Sequence, residues 1–163
     1  MSDRTDTPTD VQAAQPPLAV AGQYIKDLSF EVPGAPGIFG QMQKQQPDIA
    51  VNVDVNAHGL QEKLFEVVLN VRAECKVGET VAFIAELSYG GLFTLNVARE
   101  HLEPMLLIEC PRLLFPFARN ILADLTRDGG FPPLMLGMVD FVGMYQNQLR
   151  EREKAVGEPV GNA

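Results

Sequence analysis

Four stretches in the first half of this chain alternate apolar and polar residues one by one, and the second half changes to spacings of three and four. Strict alternation marks half-buried strands, because successive side chains point to opposite faces. In the first stretch Tyr24, Leu28, Phe30 and Val32 share a face, opposite Ile25, Asp27, Ser29 and Glu31, and Lys26 interrupts the apolar side. In the second, Ile49, Val51, Val53 and Val55 oppose Ala50, Asn52, Asp54 and Asn56. The third sets Phe65, Val67, Leu69, Val71 and Ala73 against Glu66, Val68, Asn70, Arg72 and Glu74, and the fourth sets Val81, Phe83, Ala85 and Leu87 against Ala82, Ile84, Glu86 and Ser88. Alternation in every strand implies a sheet covered on one side only, hence antiparallel.

The helical half supplies the cover. Leu114, Phe117, Ala118, Ile121, Leu122 and Leu125 form one stripe, and Gly129-Gly130 stops it. Pro116 requires either a kink or a helix start. Residues 105–108 read as a separate helical turn ahead of Cys110-Pro111. Asp140 is placed to cap a last helix with the stripe Phe141, Met144, Tyr145 and Leu149. The expected fold is α+β, a four-stranded antiparallel sheet with helices packed on one face.

The ends differ in composition from the middle. Residues 1–22 are rich in Thr, Asp, Gln, Ala and Pro and read as a disordered arm. Residues 23–149 form the domain, and residues 150–163 read as a flexible charged tail. The N-terminus lacks the basic and apolar regions of a secretory signal. No run approaches the roughly 18 apolar residues that span a bilayer. A cytoplasmic protein without membrane insertion is expected. Cys75 and Cys110 form no closely spaced pair, in keeping with a reducing compartment.

Function classes narrow by chemistry. The chain carries 13 Lys and Arg against 21 Asp and Glu, a formal charge of −8, which disfavours nucleic-acid binding and permits docking to a basic surface. There is no Gly-Lys-Ser/Thr phosphate loop, and Gly90-Gly91 reads as a bulge or bend in the fourth strand. His58 and His101 stand without a ligand cluster, and Cys110 has no positioned base. No catalytic residue, metal or cofactor is expected, and the chain reads as a non-enzyme.

Two loops depart from the usual polar composition. Residues 33–47 bring Ile38, Phe39 and Met42 into a Pro/Gly-rich connection, and residues 131–138 read Phe-Pro-Pro-Leu-Met-Leu-Gly-Met. Apolar loops suit a binding surface or a subunit contact, or they close over the core. On the sheet's polar face, Asp27, Glu31 and Glu86 accompany the apolar Ile84 and Val68. Such a mixed face is either simply solvated or suited to a basic partner with an apolar anchor.

Several ordered motifs resemble the SecB family of bacterial protein-export chaperones. Tyr24-Ile25-Lys26-Asp27-Leu28-Ser29-Phe30-Glu31-Val32-Pro33 is similar to its first strand, and Phe65-Glu66-Val67-Val68-Leu69 to its third. Phe83, Glu86, Gly90-Gly91 and Leu92-Phe93 resemble the fourth. Cys110-Pro111, Leu114-Phe115-Pro116-Phe117-Ala118-Arg119, Phe131-Pro132-Pro133-Leu134 and Val139-Asp140-Phe141 are similar to the helical signatures that follow. The resemblance implies a homotetramer, built as a dimer of dimers, that holds unfolded precursor proteins in apolar grooves without nucleotide and passes them to the export ATPase SecA. By position it implies SecA docking at Asp27, Glu31, Ile84 and Glu86. It places Ile38, Phe39, Phe131, Leu134, Leu136, Phe141 and Tyr145 in or beside the peptide grooves. The alternative is a related holdase dedicated to another client, such as an antitoxin.

Overall fold

The computed structural model describes residues 14–157. The four expected strands are present: β1 (Leu18–Glu31), β2 (Asp48–Gln61), β3 (Leu64–Val77) and β4 (Thr80–Leu95). They form one antiparallel sheet in the order β1-β4-β3-β2. Strands β2, β3 and β4 are joined by tight hairpins, with Lys63 at φ 66° in the first and Gly78 at φ 61° in the second. The central strands are thus β3 and β4, and their apolar residues form the core. Val67, Leu69, Val71, Ala73, Phe83, Ala85 and Leu87 are buried, as expected from the alternation.

The helices lie on that face. After a short α1 (Gly37–Met42), a single helical run extends through α2 (Arg99–Pro104), a π-helical turn over Met105–Glu109, and α3 (Cys110–Asp128). The expected separate turn at residues 105–108 is this widened segment. It ends two residues before Pro111, which lacks the N–H that a regular α-helical ladder needs. Pro116 lies inside α3 rather than at its start. Leu114, Phe115, Ala118 and Leu122 face the sheet, whereas Phe117, assigned to the stripe from spacing, is 51% exposed. Gly129 closes α3, and Gly130, at φ 94°, turns the chain. Asp140 caps α4 (Phe141–Gly157) through its Oδ1, which accepts the Gly143 N–H at 3.0 Å.

Three expectations change. Strand β1 begins at Leu18 and helix α4 runs to Gly157, so both expected flexible ends are ordered at their inner parts. The remainder of each, residues 1–13 and 158–163, lies outside the described residues. Tyr24 is not on the apolar face. Register passes from Ile25↔Tyr89 directly to Asp27↔Ser88, so Lys26 is a bulge residue and the facing of β1 reverses there. Ile25, Leu28 and Phe30 point to the helix side, and Tyr24, Asp27, Ser29 and Glu31 to the open side. Finally, Gly90-Gly91 is no bulge, because pairing to both neighbours runs through it without a shift.

The glycine pair answers to close packing. A Cβ on Gly91 would lie 2.6 Å from the Phe93 ring and 2.8 Å from Leu114, both fully buried and unable to move aside. Gly91→Ala is therefore expected to cost about 1–3 kcal/mol, the range for overpacking a core. A denaturation midpoint unchanged from the parent would contradict this packing.

Candidate functional site

The open face of the sheet gathers the expected docking residues. Glu31 pairs with Ile84, Ser29 with Glu86, and Asp27 with Ser88, so all four expected residues occupy three neighbouring rungs. On β3 the same rungs continue with Glu74, Arg72 and Asn70. Arg72 is the central cation of this patch, and Lys76 Nζ also lies 3.6 Å from Glu74. Arg72 Nε donates to Glu86 at 3.0 Å and its Nη1 to Glu74 at 2.9 Å, which raises the already high guanidinium pKa. Asp27 and Glu31 are exposed and enter no ion pair among the described residues. Asp27 and Glu86 share a shallow depression with Asn52, Asp54, Asn70 and Arg72. Ser88 Oγ donates to Asn70 Oδ1, and Asn70 Nδ2 to Asn56 Oδ1, each at 2.7 Å, which orders the floor across three strands. The result is a flat acidic surface with Ile84 half-buried in it.

Sequence reasoning missed the most buried charge on this face. Glu66 is only 8% exposed. Tyr24 Oη donates to its Oε2, Lys26 Nζ lies 2.7 Å from Oε1, and His58 Nε2 lies 3.1 Å from Oε1. The hydrogen bonds from Lys26 and Tyr24 hold the Glu66 carboxyl below the usual range. Burial, then the hydrogen bond to Glu66, pushes Tyr24 up to about 12. Tyr24 reaches Glu66 by crossing β4 at Gly90, where any Cβ would lie 2.6 Å from its ring. A glutamate at a polar position of an alternating strand gives no sign of such burial.

The second surface lies on the helix side, where the two apolar loops meet. Residues 33–47 are not irregular throughout, because α1 forms within them. Ile38, left open between a binding surface and the core, is 0% exposed and packs into the core from α1. Phe131 sits at the centre of an aromatic cluster, with ring centroids 4.9 Å from Phe83, 5.3 Å from Phe39 and 6.2 Å from Phe30. Thr126, fully buried, ties the segment of residues 131–138 to α3. Its Oγ1 accepts the Leu134 N–H at 2.8 Å while donating to the Leu122 or Ala123 carbonyl. Leu136 and Phe141 are also buried, and Phe141 packs on Phe115 at 6.1 Å.

The seven expected groove residues are therefore not one exposed lining. Ile38, Phe131, Leu136 and Phe141 are core side chains in this structure. Phe39 is partly exposed, and Leu134 is half-buried. Tyr145 lies apart from the aromatic cluster, in a concavity with Val53, Val55, Leu107 and Met144 between β2 and α4. The most exposed apolar groups of the connecting segment are Met135 and Met138, at 60% and 90%. Periodicity cannot separate these roles, because a loop has no face.

Both cysteines are buried and free, and burial pushes the Cys110 thiol up to about 12, which keeps it protonated. Neither histidine belongs to a cluster of possible metal ligands among the described residues. None of the described helices is long and apolar enough to cross a membrane. The geometry defines a protein with two distinct surfaces: a flat acidic sheet face and an apolar, methionine- and phenylalanine-bearing loop surface on the side of the helices.

Comparison with known proteins identifies which such protein family this is. A family model described as preprotein translocase subunit SecB matches residues 11–152, and the chain belongs to the SecB family of protein-export chaperones. It is 57% identical to the protein-export protein SecB of Rhodospirillum rubrum over 150 residues, covering 92% of this chain and 91% of the relative. Identity to the SecB of Maricaulis maris is also 57%, over 99% of this chain and 96% of that one. Among solved structures, a SecB-like chaperone of Mycobacterium tuberculosis, bound to a peptide from an antitoxin, superposes with a TM-score of 0.64. It covers 76% of this chain and 91% of that one, and at 17% identity it speaks to the fold.

Proposed function

We propose that this chain is an ATP-independent holdase of the cytoplasm that binds unfolded precursor proteins, keeps them competent for export and delivers them to SecA. The carrying observation is the exposure of Phe39, Met135 and Met138 on the two loops that Phe131 joins. Methionine is flexible and polarizable, which suits contact with many sequences. An unfolded client would bury apolar side chains there, at roughly 25 cal/mol per Å². The sheet edges, β1 and β2, offer unpaired backbone groups to an extended segment, a contact independent of client sequence. Binding the unfolded chain lowers its free concentration by mass action and delays folding. None of this uses nucleotide, cofactor or catalysis.

Self-association fits the same surface logic. Val20, Ile25 and Leu28 of edge strand β1 are exposed on the helix side. Phe117 stacks on Tyr89 at 6.2 Å, and Tyr89 pairs with Ile25, so the exposed patch continues onto α3. This exposed patch is suited to burial against a second copy, in keeping with the homotetramer that the family resemblance implies. Several weak sites acting on one client then give avidity. Asp27, Glu31, Ile84 and Glu86 face the opposite way and stay available to SecA.

A second reading is a holdase dedicated to one client, such as an antitoxin. The Mycobacterium tuberculosis neighbour holds an antitoxin peptide on the same fold. Light scattering with in-line size exclusion, run with and without unfolded apolar-rich chains, tests both. A tetramer that takes up several unrelated unfolded chains and ignores their folded forms supports the export reading. Uptake of one antitoxin alone supports the second. A monomer indifferent to all of them refutes both.

A further inference from the structure

We infer that Glu66 is a positioning residue for partner docking: by clamping Tyr24 and Lys26 across the sheet, it fixes the β1 bulge that turns Asp27 and Glu31 toward the partner. This rests on the reading of the open face as a SecA-docking surface.

The geometry follows from parity. Side chains alternate along a strand, so one extra residue reverses every position beyond it. Without the bulge, and with Ile25 still opposite Tyr89, Asp27 would fall opposite Leu87, whose side chain is buried in the core. Leu28 and Phe30 would then face solvent. The bulge therefore decides which face carries the acids. Bulges at an edge strand are held by few groups, and β1 is an edge. Here the residue before the irregular pairing (Tyr24) and the bulge residue itself (Lys26) both bond to one carboxylate two strands away. His58 of the other edge strand, β2, reaches the same oxygen as Lys26. Glu66 thus ties both edges of the sheet together from β3. Gly90 makes this possible by leaving room for the Tyr24 ring. A carboxylate so buried on the polar face has no need of a partner's contact, because its oxygens already accept from Tyr24 and Lys26 and lie 3.1 Å from His58 Nε2.

The test uses the full chain with Glu66→Gln and Glu66→Ala, and a Tyr24→Phe plus Lys26→Met double variant in case the alanine form folds poorly. SecA affinity, affinity for an unfolded client, thermal midpoint and amide hydrogen exchange are measured together. Glu66→Gln is expected to weaken SecA binding about tenfold, equivalent to about 1.4 kcal/mol. Hydrogen exchange should accelerate over residues 25–29 while client affinity holds within about twofold, well under 1 kcal/mol. Unchanged SecA affinity in all these variants overturns the inference, provided that charge reversal at Asp27, Glu31 and Glu86 weakens binding. If that reversal has no effect either, the docking reading itself falls and takes the inference with it. A SecA loss without faster exchange at the bulge means direct contact and overturns positioning. An equal loss of client and SecA binding with a lowered midpoint means general destabilisation and overturns it too.

Discussion

Phe131→Ala is expected to destabilise the chain by about 3–5 kcal/mol, the range for removing a buried phenylalanine. Phe131 is 5% exposed and contacts the rings of Phe30, Phe39 and Phe83 from a segment with no regular secondary structure. Its backbone N–H also donates to the Thr126 carbonyl at 3.0 Å, so the residue anchors the segment in two ways. Truncation leaves a cavity that only the loop could collapse to fill, and the bond from Leu134 to Thr126 restrains that collapse. The check is a denaturant midpoint at constant m-value. Phe39→Ala provides the contrast. With Phe39 partly exposed, its stability loss should be smaller, about 1–2 kcal/mol, while client affinity falls. If Phe131→Ala costs less than Phe39→Ala, the order of burial is wrong.

Reversing the charge at Asp27, Glu31 and Glu86 together to lysine is expected to weaken SecA binding about 100-fold near physiological salt. Client affinity and folding should hold. Asp27 and Glu31 are exposed and outside the ion pairs of the described residues, so their replacement removes no internal contact. Glu86 does bond to Arg72, but Arg72 keeps Glu74 at 2.9 Å. Surface changes of this kind alter stability by about 0.5 kcal/mol each. Titration calorimetry at two salt concentrations checks the prediction. Binding that is as tight as the parent's at both would remove the acidic face from the docking assignment. The three rungs that carry these residues are contiguous, so a single basic patch on the partner can meet them all.

Under the proposed function, the two surfaces would let one small domain hold a client and still be recognised. The groups proposed to meet a client sit on the helix side or at the sheet edges, and the acids sit on the open face. The rigid central strands separate them, with β3 and β4 buried on the covered side. A client can therefore occupy the loops without masking the acids. In a tetramer formed through the β1 and α3 patch, the open faces would remain outermost.

Alternation alone determined the four strands, most of the buried residues of β3 and β4, and the one-sided cover, because a period of two maps directly onto the faces of a sheet; it missed the burial of Glu66, Val68 and Ala82 on the face read as polar. The acid cluster of Asp27, Glu31 and Glu86 was equally legible, since it needs only parity beyond the bulge. The cap at Asp140 and the stop at Gly129-Gly130 are local, and the sequence carries them whole. Tertiary structure alone decided the rest. Tyr24 changed face because a bulge is chosen by pairing and by Glu66, neither of which lies nearby in sequence. Gly90 and Gly91 looked like a bend, but their small size serves the rings of Tyr24 and Phe93 that pass over them. For Ile38, Phe131 and Leu136 the sequence left surface and core equally open because loops have no period, and the gap between the sheet end and α3 decided for the core. Periodicity reports which way a side chain points relative to its own strand or helix, whereas burial depends on what long-range folding brings to meet it.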